Sequence, residues 1–162
     1  MILNKETADK KLRRMAFEVA ERNNETEELI LIGIKENGIF IAHKIAGYLK
    51  EVFNGNVEVL ALSLDKKNPG EISLNRPTDF NNKSILLVDD VANSGRTMLY
   101  ALKPLLNQLP LQVETLVLVE RTYKKFPIAV DYVGLSVSTT REENIVVKVE
   151  EGEVVGAWME KR

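Results

Sequence analysis

Apolar residues follow two rhythms along the chain. Ala8, Leu12, Met15, Ala16, Val19 and Ala20 recur at the spacing of one helix face, with Lys and Arg on the other, which predicts an amphipathic helix over Thr7–Arg22. Leu29-Ile30-Leu31-Ile32-Gly33-Ile34 is instead a short unbroken apolar run. Its length and branched side chains predict a strand buried on both faces, as in a parallel sheet. The polar turn Lys35-Glu36-Asn37-Gly38 follows, and then Ile39, Phe40, Ala42, Ile45, Ala46 and Leu49 predict a second helix. Val57–Leu64 reads as another strand, Ser84–Val88 as a buried strand ending in two carboxylates, and Val113–Val119 as a further buried one. After Gly95 a helical spacing runs to about Asn107 through Met98, Leu99, Leu102, Leu105 and Leu106. Tyr132–Val137, Ile145–Val149 and Val154–Trp158 read as strands, the last two joined at Glu151-Gly152 by a hairpin turn. Strands alternating with helices predict an α/β fold with a mostly parallel central sheet flanked by helices.

One segment breaks the rhythm. Asp65–Asn82 holds Lys66, Lys67, Asn68, Pro69, Gly70, Arg76, Pro77 and Asp79, with only a short apolar piece around Ile72 and Leu74. A loop or mobile hairpin of that length is unusual inside a compact domain and is often functional.

Composition narrows the chemistry. The 162 residues suit one domain over 1–162. At this size roughly two thirds of the unfolded surface can be buried, so a core forms without staples. A net charge of -2 gives no global pull toward nucleic acid or acidic membranes. The short basic clusters, Lys10, Lys11, Arg13 and Arg14, then Lys124 and Lys125, read first as solvated surface. There is no cysteine, which removes disulfides, thiolate metal sites and thiol nucleophiles and fits a reducing compartment. His43 stands alone, so a histidine-built metal site or triad is not expected. No apolar run reaches the ~18 residues of a membrane span. The first residues carry no long apolar stretch, so no signal peptide is expected, and the expected location is cytoplasmic.

The densest chemistry lies at Val88-Asp89-Asp90-Val91-Ala92-Asn93-Ser94-Gly95-Arg96-Thr97. Ligands bind at strand ends in a parallel sheet. Here a strand end carries two acids, then a loop of small hydrogen-bonding residues, then a helix start with free N–H groups. Gly95 offers backbone angles that other residues avoid. Ser94 and Thr97 add hydroxyl donors. Carboxylates suit ribose hydroxyls and the water shell of Mg²⁺. A Walker-type nucleotide site is ruled out: the only matching glycine spacing, Gly33 to Gly38, is followed by Ile39 instead of Lys-Ser/Thr. A receiver domain carries its acids after its first strand, whereas this pair follows at least two. A sugar-phosphate site, another α/β ligand site and plain structure all remain open at this point.

At Ile85–Thr97 the chain resembles the type I phosphoribosyltransferase family, whose signature is an apolar strand, two acids and a Ser/Thr-Gly-x-Thr loop. It departs mildly at Ala92 and Asn93. Looser segments resemble the branch of bifunctional pyrimidine-operon attenuators and uracil phosphoribosyltransferases. These are Ile2-Leu3-Asn4-Lys5, Leu31-Ile32-Gly33-Ile34 with Asn37-Gly38-Ile39, Ile72–Arg76, Val119-Glu120-Arg121, Phe126-Pro127-Ile128, Asp131–Gly134 and Ser138–Arg141. In the uracil-specific relatives the turn after the first long strand usually reads Thr-Arg-Gly. Glu36-Asn37-Gly38 replaces that cation by a neutral amide and adds a carboxylate, with Lys35 the cation left beside it.

The resemblance implies the type I phosphoribosyltransferase fold with a small C-terminal hood. It implies Mg²⁺-dependent transfer from phosphoribosyl pyrophosphate to a nucleobase, uracil first. Asp89 and Asp90 would bind ribose hydroxyls or order magnesium water. Asn93, Ser94, Gly95, Arg96 and Thr97 would hold the 5-phosphate. Lys35, Glu36, Asn37, Gly38 and Arg121 would meet pyrophosphate, with Arg76 closing over it from the loop. Phe126 and Ile128 would border the base. It also leaves room for another base, for an RNA-binding, nucleotide-sensing regulator with weak or no catalysis, and for a homodimer or higher homo-oligomer.

Overall fold

The computed structural model describes residues Met1–Arg162. In chain order the elements are β1 (Leu3–Asn4), α1 (Lys5–Arg22), β2 (Glu28–Ile34), α2 (Asn37–Val52), β3 (Asn56–Leu64), β4 (Ile72–Leu74) and β5 (Ser84–Ala92). Then come α3 (Arg96–Ala101), a 3-10 turn (Lys103–Leu105), β6 (Gln112–Arg121), β7 (Tyr132–Val137), β8 (Glu143–Glu150) and β9 (Glu153–Lys161).

Two sheets result. A six-stranded sheet runs β4-β3-β2-β5-β6-β7, parallel throughout except for β4. A smaller antiparallel sheet, β1-β9-β8, forms the hood. The continuous apolar runs are explained by what covers each face. Leu29, Leu31, Leu86 and Val88 pack with α1 and α2, while Ile30, Ile32, Ile85 and Leu87 pack with Met98, Ala101 and Leu105 on the other side. Burying each such side chain contributes about 1.5–3 kcal/mol.

α1 starts where Asn4 Oδ1 accepts from the Thr7 N–H at 2.8 Å, one residue after β1 has paired with β9. The strand β1 is too short to give any periodicity. The hairpin between β8 and β9 turns at Glu151 and Gly152, with φ 51° and 77°, both in the left-handed region that such tight turns need. No helix is long and apolar enough to cross a membrane.

Three expectations are corrected. The helix after Gly95 stops at Ala101 instead of running to Asn107. Pro104 lacks a backbone N–H and restricts the residue before it, so the chain continues only as a 3-10 turn. Leu106 therefore leaves the helix face and is 76% exposed. The acid-bearing strand does not end with the two carboxylates; it runs on through Ala92. Part of the irregular segment after Leu64 is regular, because Ile72–Leu74 folds back antiparallel on the end of β3.

Candidate active site

The start of α2 and the C-terminal end of β5 meet under the hood strand β8 and border a cavity of about 250 Å³. Its wall includes Asn37, Lys66, the run Asp89–Gly95, Thr97 and the hood residues Ile145, Val146 and Val147. A second, more open cavity of about 460 Å³ adjoins it and shares Asn37, Lys66 and Asp90, with Lys35, Glu36 and Ser63 added.

Asp89 and Asp90 are both buried. Adjacent strand residues point to opposite faces, yet both acids line the cavity, because each side chain folds back on the backbone. Asp89 Oδ1 accepts from the Asp90 N–H at 2.8 Å, and Asp90 Oδ1 accepts from the Val91 N–H at 2.8 Å. Burial pushes the Asp89 carboxyl well above the usual carboxylate range, the neighbouring Asp90 charge adds to this, and the Lys66 ammonium 3.5 Å away opposes it. Lys66 is the one cation among the cavity-lining residues. Two buried acids facing one half-exposed lysine leave the site short of positive charge.

The turn after β2 is shaped by close packing. A Cβ on Gly33 would stand 2.6 Å from Ile39 Cα, and one on Gly38 would stand 2.7 Å from the Val88 carbonyl oxygen. Glycine at both places lets the start of α2 lie against the end of β5. The Lys35–Glu36 peptide bond is cis. Lys35 and Glu36 are exposed. Asn37 reaches inward, and its Nδ2 donates to Asp90 Oδ2 and to the Val147 carbonyl, both at 2.9 Å.

The loop after β5 turns at Gly95, with φ 88°. Ser94 and Thr97 line the cavity beside it. The Asn93 side chain bonds to the hood residue Ile145. The Arg96 guanidinium points away, donating to the Lys66 carbonyl at 2.8 Å and so bracing the segment that carries Lys66.

Other expected residues lie elsewhere. Arg76 pairs with Glu58 near the start of β3. The antiparallel β4 carries the chain back down the sheet, so Arg76 sits toward the opposite end from the cavity. Arg121 is buried at the end of β6, and its Nη2 donates to the Thr140 carbonyl at 3.1 Å; it lines neither cavity. Phe126 and Ile128 stand behind the loop and line neither cavity. The Lys125 and Phe126 N–H groups donate to the Ser94 carbonyl at 3.0 and 3.1 Å, and Ile128 Cβ lies 3.5 Å from where a Gly95 Cβ would be.

Lys66 and the hood residues Ile145–Val147 escaped the sequence reading. Lys66 carried a usable signal, since a lysine two residues past a parallel strand falls on the ligand side of the sheet. The hood residues carried none, because only the tertiary fold brings β8 over β5.

A model of the phosphoribosyl transferase domain matches residues 1–152. The Bifunctional protein PyrR of Streptococcus pneumoniae is 34% identical over 155 residues, covering 93% of this chain and 90% of that relative. Among solved structures, the hypoxanthine phosphoribosyltransferase of Trypanosoma cruzi superposes with a TM-score of 0.79 at 16% identity, covering 96% of this chain and 94% of the other. A hypoxanthine-guanine phosphoribosyltransferase of Bacillus anthracis gives a TM-score of 0.70 at 20% identity, covering 90% and 85%. At these identities the solved structures speak for the fold.

Proposed function

We propose that this chain, which belongs to the phosphoribosyl transferase domain family, transfers the phosphoribosyl group of phosphoribosyl pyrophosphate to a nucleobase, uracil first, releasing pyrophosphate. The base nitrogen attacks ribose C1, the bond from C1 to the pyrophosphate oxygen breaks with its electron pair leaving on pyrophosphate, and the base nitrogen's proton passes to water. The observation that carries the reading is the meeting of three kinds of group around one cleft. Paired acids suit ribose hydroxyls, a small loop turning at Gly95 suits a phosphate, and Lys35, Glu36 and Asn37 border the adjoining cavity, whose two lysines suit a diphosphate.

Each group has a task in this reading. The loop Asn93–Thr97 holds the 5-phosphate through its backbone N–H groups and the hydroxyls of Ser94 and Thr97. Asp89 and Asp90 receive the ribose. Lys66, with Lys35 further out, stabilises the leaving pyrophosphate, whose charge grows as the bond breaks. The hood closes the base side and excludes water, which otherwise competes as nucleophile.

Mg²⁺ fits the donor set. It takes one or two carboxylates together with substrate phosphates and keeps much of its water, and here two buried acids border the cleft with only Lys66 opposing their charge. Asp89 and Asp90 would hold it through water, and it would supply neutralisation of the leaving group.

The testing experiment incubates the protein with phosphoribosyl pyrophosphate, Mg²⁺ and, separately, uracil, hypoxanthine, guanine, adenine and orotate. Uridine monophosphate as the main product is expected. Another nucleotide would move the base specificity and keep the reaction; no product with any base would overturn the enzyme reading.

A second reading, an RNA-binding and nucleotide-sensing regulator, draws on the surface of α1, where Lys10, Arg13, Arg14 and the exposed Phe17 line one shallow groove. Arg13 and Arg14 are already paired with Glu51 and Glu18, and the net charge is -2. RNA affinity needs free positive charge, so the enzyme reading stands first. RNA binding that weakens steeply with salt would support the regulator.

A further inference from the structure

Two asparagine side chains end on the hood, and transfer chemistry alone does not explain them. β8 is an edge strand: β9 holds one of its sides and no strand holds the other. Such an edge leaves backbone N–H and C=O groups unpaired at alternate residues. Side chains take them here. Asn93 Oδ1 accepts from the Ile145 N–H at 3.1 Å, and Asn93 Nδ2 donates to the Ile145 carbonyl at 3.2 Å. Two residues on, the Val147 carbonyl accepts from Asn37 Nδ2 at 2.9 Å. An amide bonded twice to one residue's backbone takes the place of a neighbouring strand. Only a neutral amide offers a donor and an acceptor side by side in so short a side chain.

We propose that Asn93 is a positioning residue that latches the hood to the loop after β5, so that filling this loop sets the hood over the base site. The inference rests on reading that loop as the 5-phosphate loop. The Asn93 amide is spent on Ile145, which leaves phosphate binding to the loop backbone, Ser94 and Thr97. On its other side the loop is held by the Lys125 and Phe126 N–H groups on the Ser94 carbonyl. It is thus strung between the β6–β7 connection and the hood, and a shift on phosphate binding is passed to β8. Val146, between the two latched residues, lines the cavity.

The chain carries its own reporter. Trp158, its single tryptophan, pairs with Val146 across the hood sheet. Phosphoribosyl pyrophosphate with Mg²⁺ is expected to change Trp158 emission in the wild type. Asn93→Ala is expected to raise the KM for the base about tenfold while the calorimetric Kd for phosphoribosyl pyrophosphate moves less than about threefold, since about one hydrogen-bonding side chain is lost and the phosphate contacts stay. The Trp158 response is expected to vanish. Asn93→Asp, which keeps the volume but sets a carboxylate oxygen against the Ile145 carbonyl, is expected to behave the same way. An unchanged base KM with an intact Trp158 response in both variants would overturn the latch. If the wild type binds no phosphoribosyl pyrophosphate, it is the functional reading that fails, and amide hydrogen exchange on the ligand-free protein judges the latch. Exchange at Ile145 about tenfold faster in Asn93→Ala supports it, and an unchanged rate overturns it.

Discussion

Asn37 Nδ2 stands 2.9 Å from Asp90 Oδ2 and joins the turn after β2 to the acid pair at the end of β5. The same nitrogen holds the Val147 carbonyl with its second hydrogen. A neutral amide orients Asp90 without cancelling its charge, so the acid stays available to a ribose or to hydrated Mg²⁺. An arginine at this position would supply more attraction for pyrophosphate and would also draw on the acid.

Asn37→Asp is expected to lower kcat/KM by at least ~10-fold. It removes both donated hydrogen bonds and places a third carboxylate against Asp90, and hydrogen bonds to charged groups contribute about 1.5–3 kcal/mol. Steady-state rates with phosphoribosyl pyrophosphate and the preferred base provide the check. A rate within a factor of about two of the wild type would remove Asn37 from the site.

The acid pair trades stability for function. Asp89 is buried, and burial and Asp90 both disfavour its charge. Asn at this position keeps the oxygen that accepts from the Asp90 N–H. Asp89→Asn is therefore expected to stabilise the fold by about 1 kcal/mol while activity falls, the usual exchange at a strained site. Asp90→Asn is expected to lower turnover by at least about tenfold, or about 1.4 kcal/mol. Urea midpoints together with initial rates test both. A destabilised Asp89→Asn, or an Asp90→Asn variant with full turnover, would contradict these roles for the two acids.

The order of strand, acids, loop and helix was legible because each piece is local. An apolar run, two carboxylates and Gly95 lie within a few residues and need no partner to be recognised. Boundaries shifted where one residue intervened, as Pro104 did in shortening α3. Residues whose position depends on distant pairing were not legible. Arg76 looks like a pyrophosphate clamp until β4 folds back on β3 and turns it toward Glu58. Phe126 and Ile128 look like base contacts until the β6–β7 connection is seen to run behind Gly95. Asn93 looks like a phosphate donor until β8 arrives beside it.

Gly38→Ala is expected to cost about 1–3 kcal/mol, the range for overpacking. Its Cβ would meet the Val88 carbonyl oxygen at 2.7 Å and Asp89 Cα at 3.1 Å, all backbone, which cannot rotate away. The start of α2 must then lift off β5, and the link from Asn37 to Asp90 goes with it. Thermal unfolding and activity are expected to fall together. A variant with wild-type stability would show that the turn has slack.

Tyr132 gives the fold an alkaline limit. The side chain is fully buried, and its hydroxyl donates to Glu114 at 2.9 and 3.0 Å. Burial first, then the bond to Glu114, push the phenol above its ordinary value. A folded value above the unfolded one means that this stabilisation is fully present below about pH 10 and is lost as pH rises through the folded value. Tyr132→Phe is expected to be less stable by about 1–2 kcal/mol near neutral pH. The gap between the two proteins is expected to narrow by about pH 11. Urea denaturation at both pH values measures it, and a gap that stays constant would place the effect in packing alone.

Lys66 and Arg76 divide the work differently from what their positions in the sequence suggest. Lys66 lies 3.5 Å from Asp89 and lines both cavities, and Arg96 supports it by donating to its carbonyl at 2.8 Å. Arg76 is tied to Glu58 on an exposed face of β3. An exposed ion pair of this kind contributes about 0–1 kcal/mol. Lys66→Ala is expected to raise the KM for phosphoribosyl pyrophosphate about tenfold, because the first cavity loses the one cation among its lining residues and Asp89 its counter-charge. Arg76→Ala is expected to change kcat/KM by less than about threefold. Rates for the two variants, measured side by side at one salt concentration, decide between them. A large loss in Arg76→Ala with little in Lys66→Ala would mean that the β3–β4 hairpin detaches during turnover and carries Arg76 over the cleft.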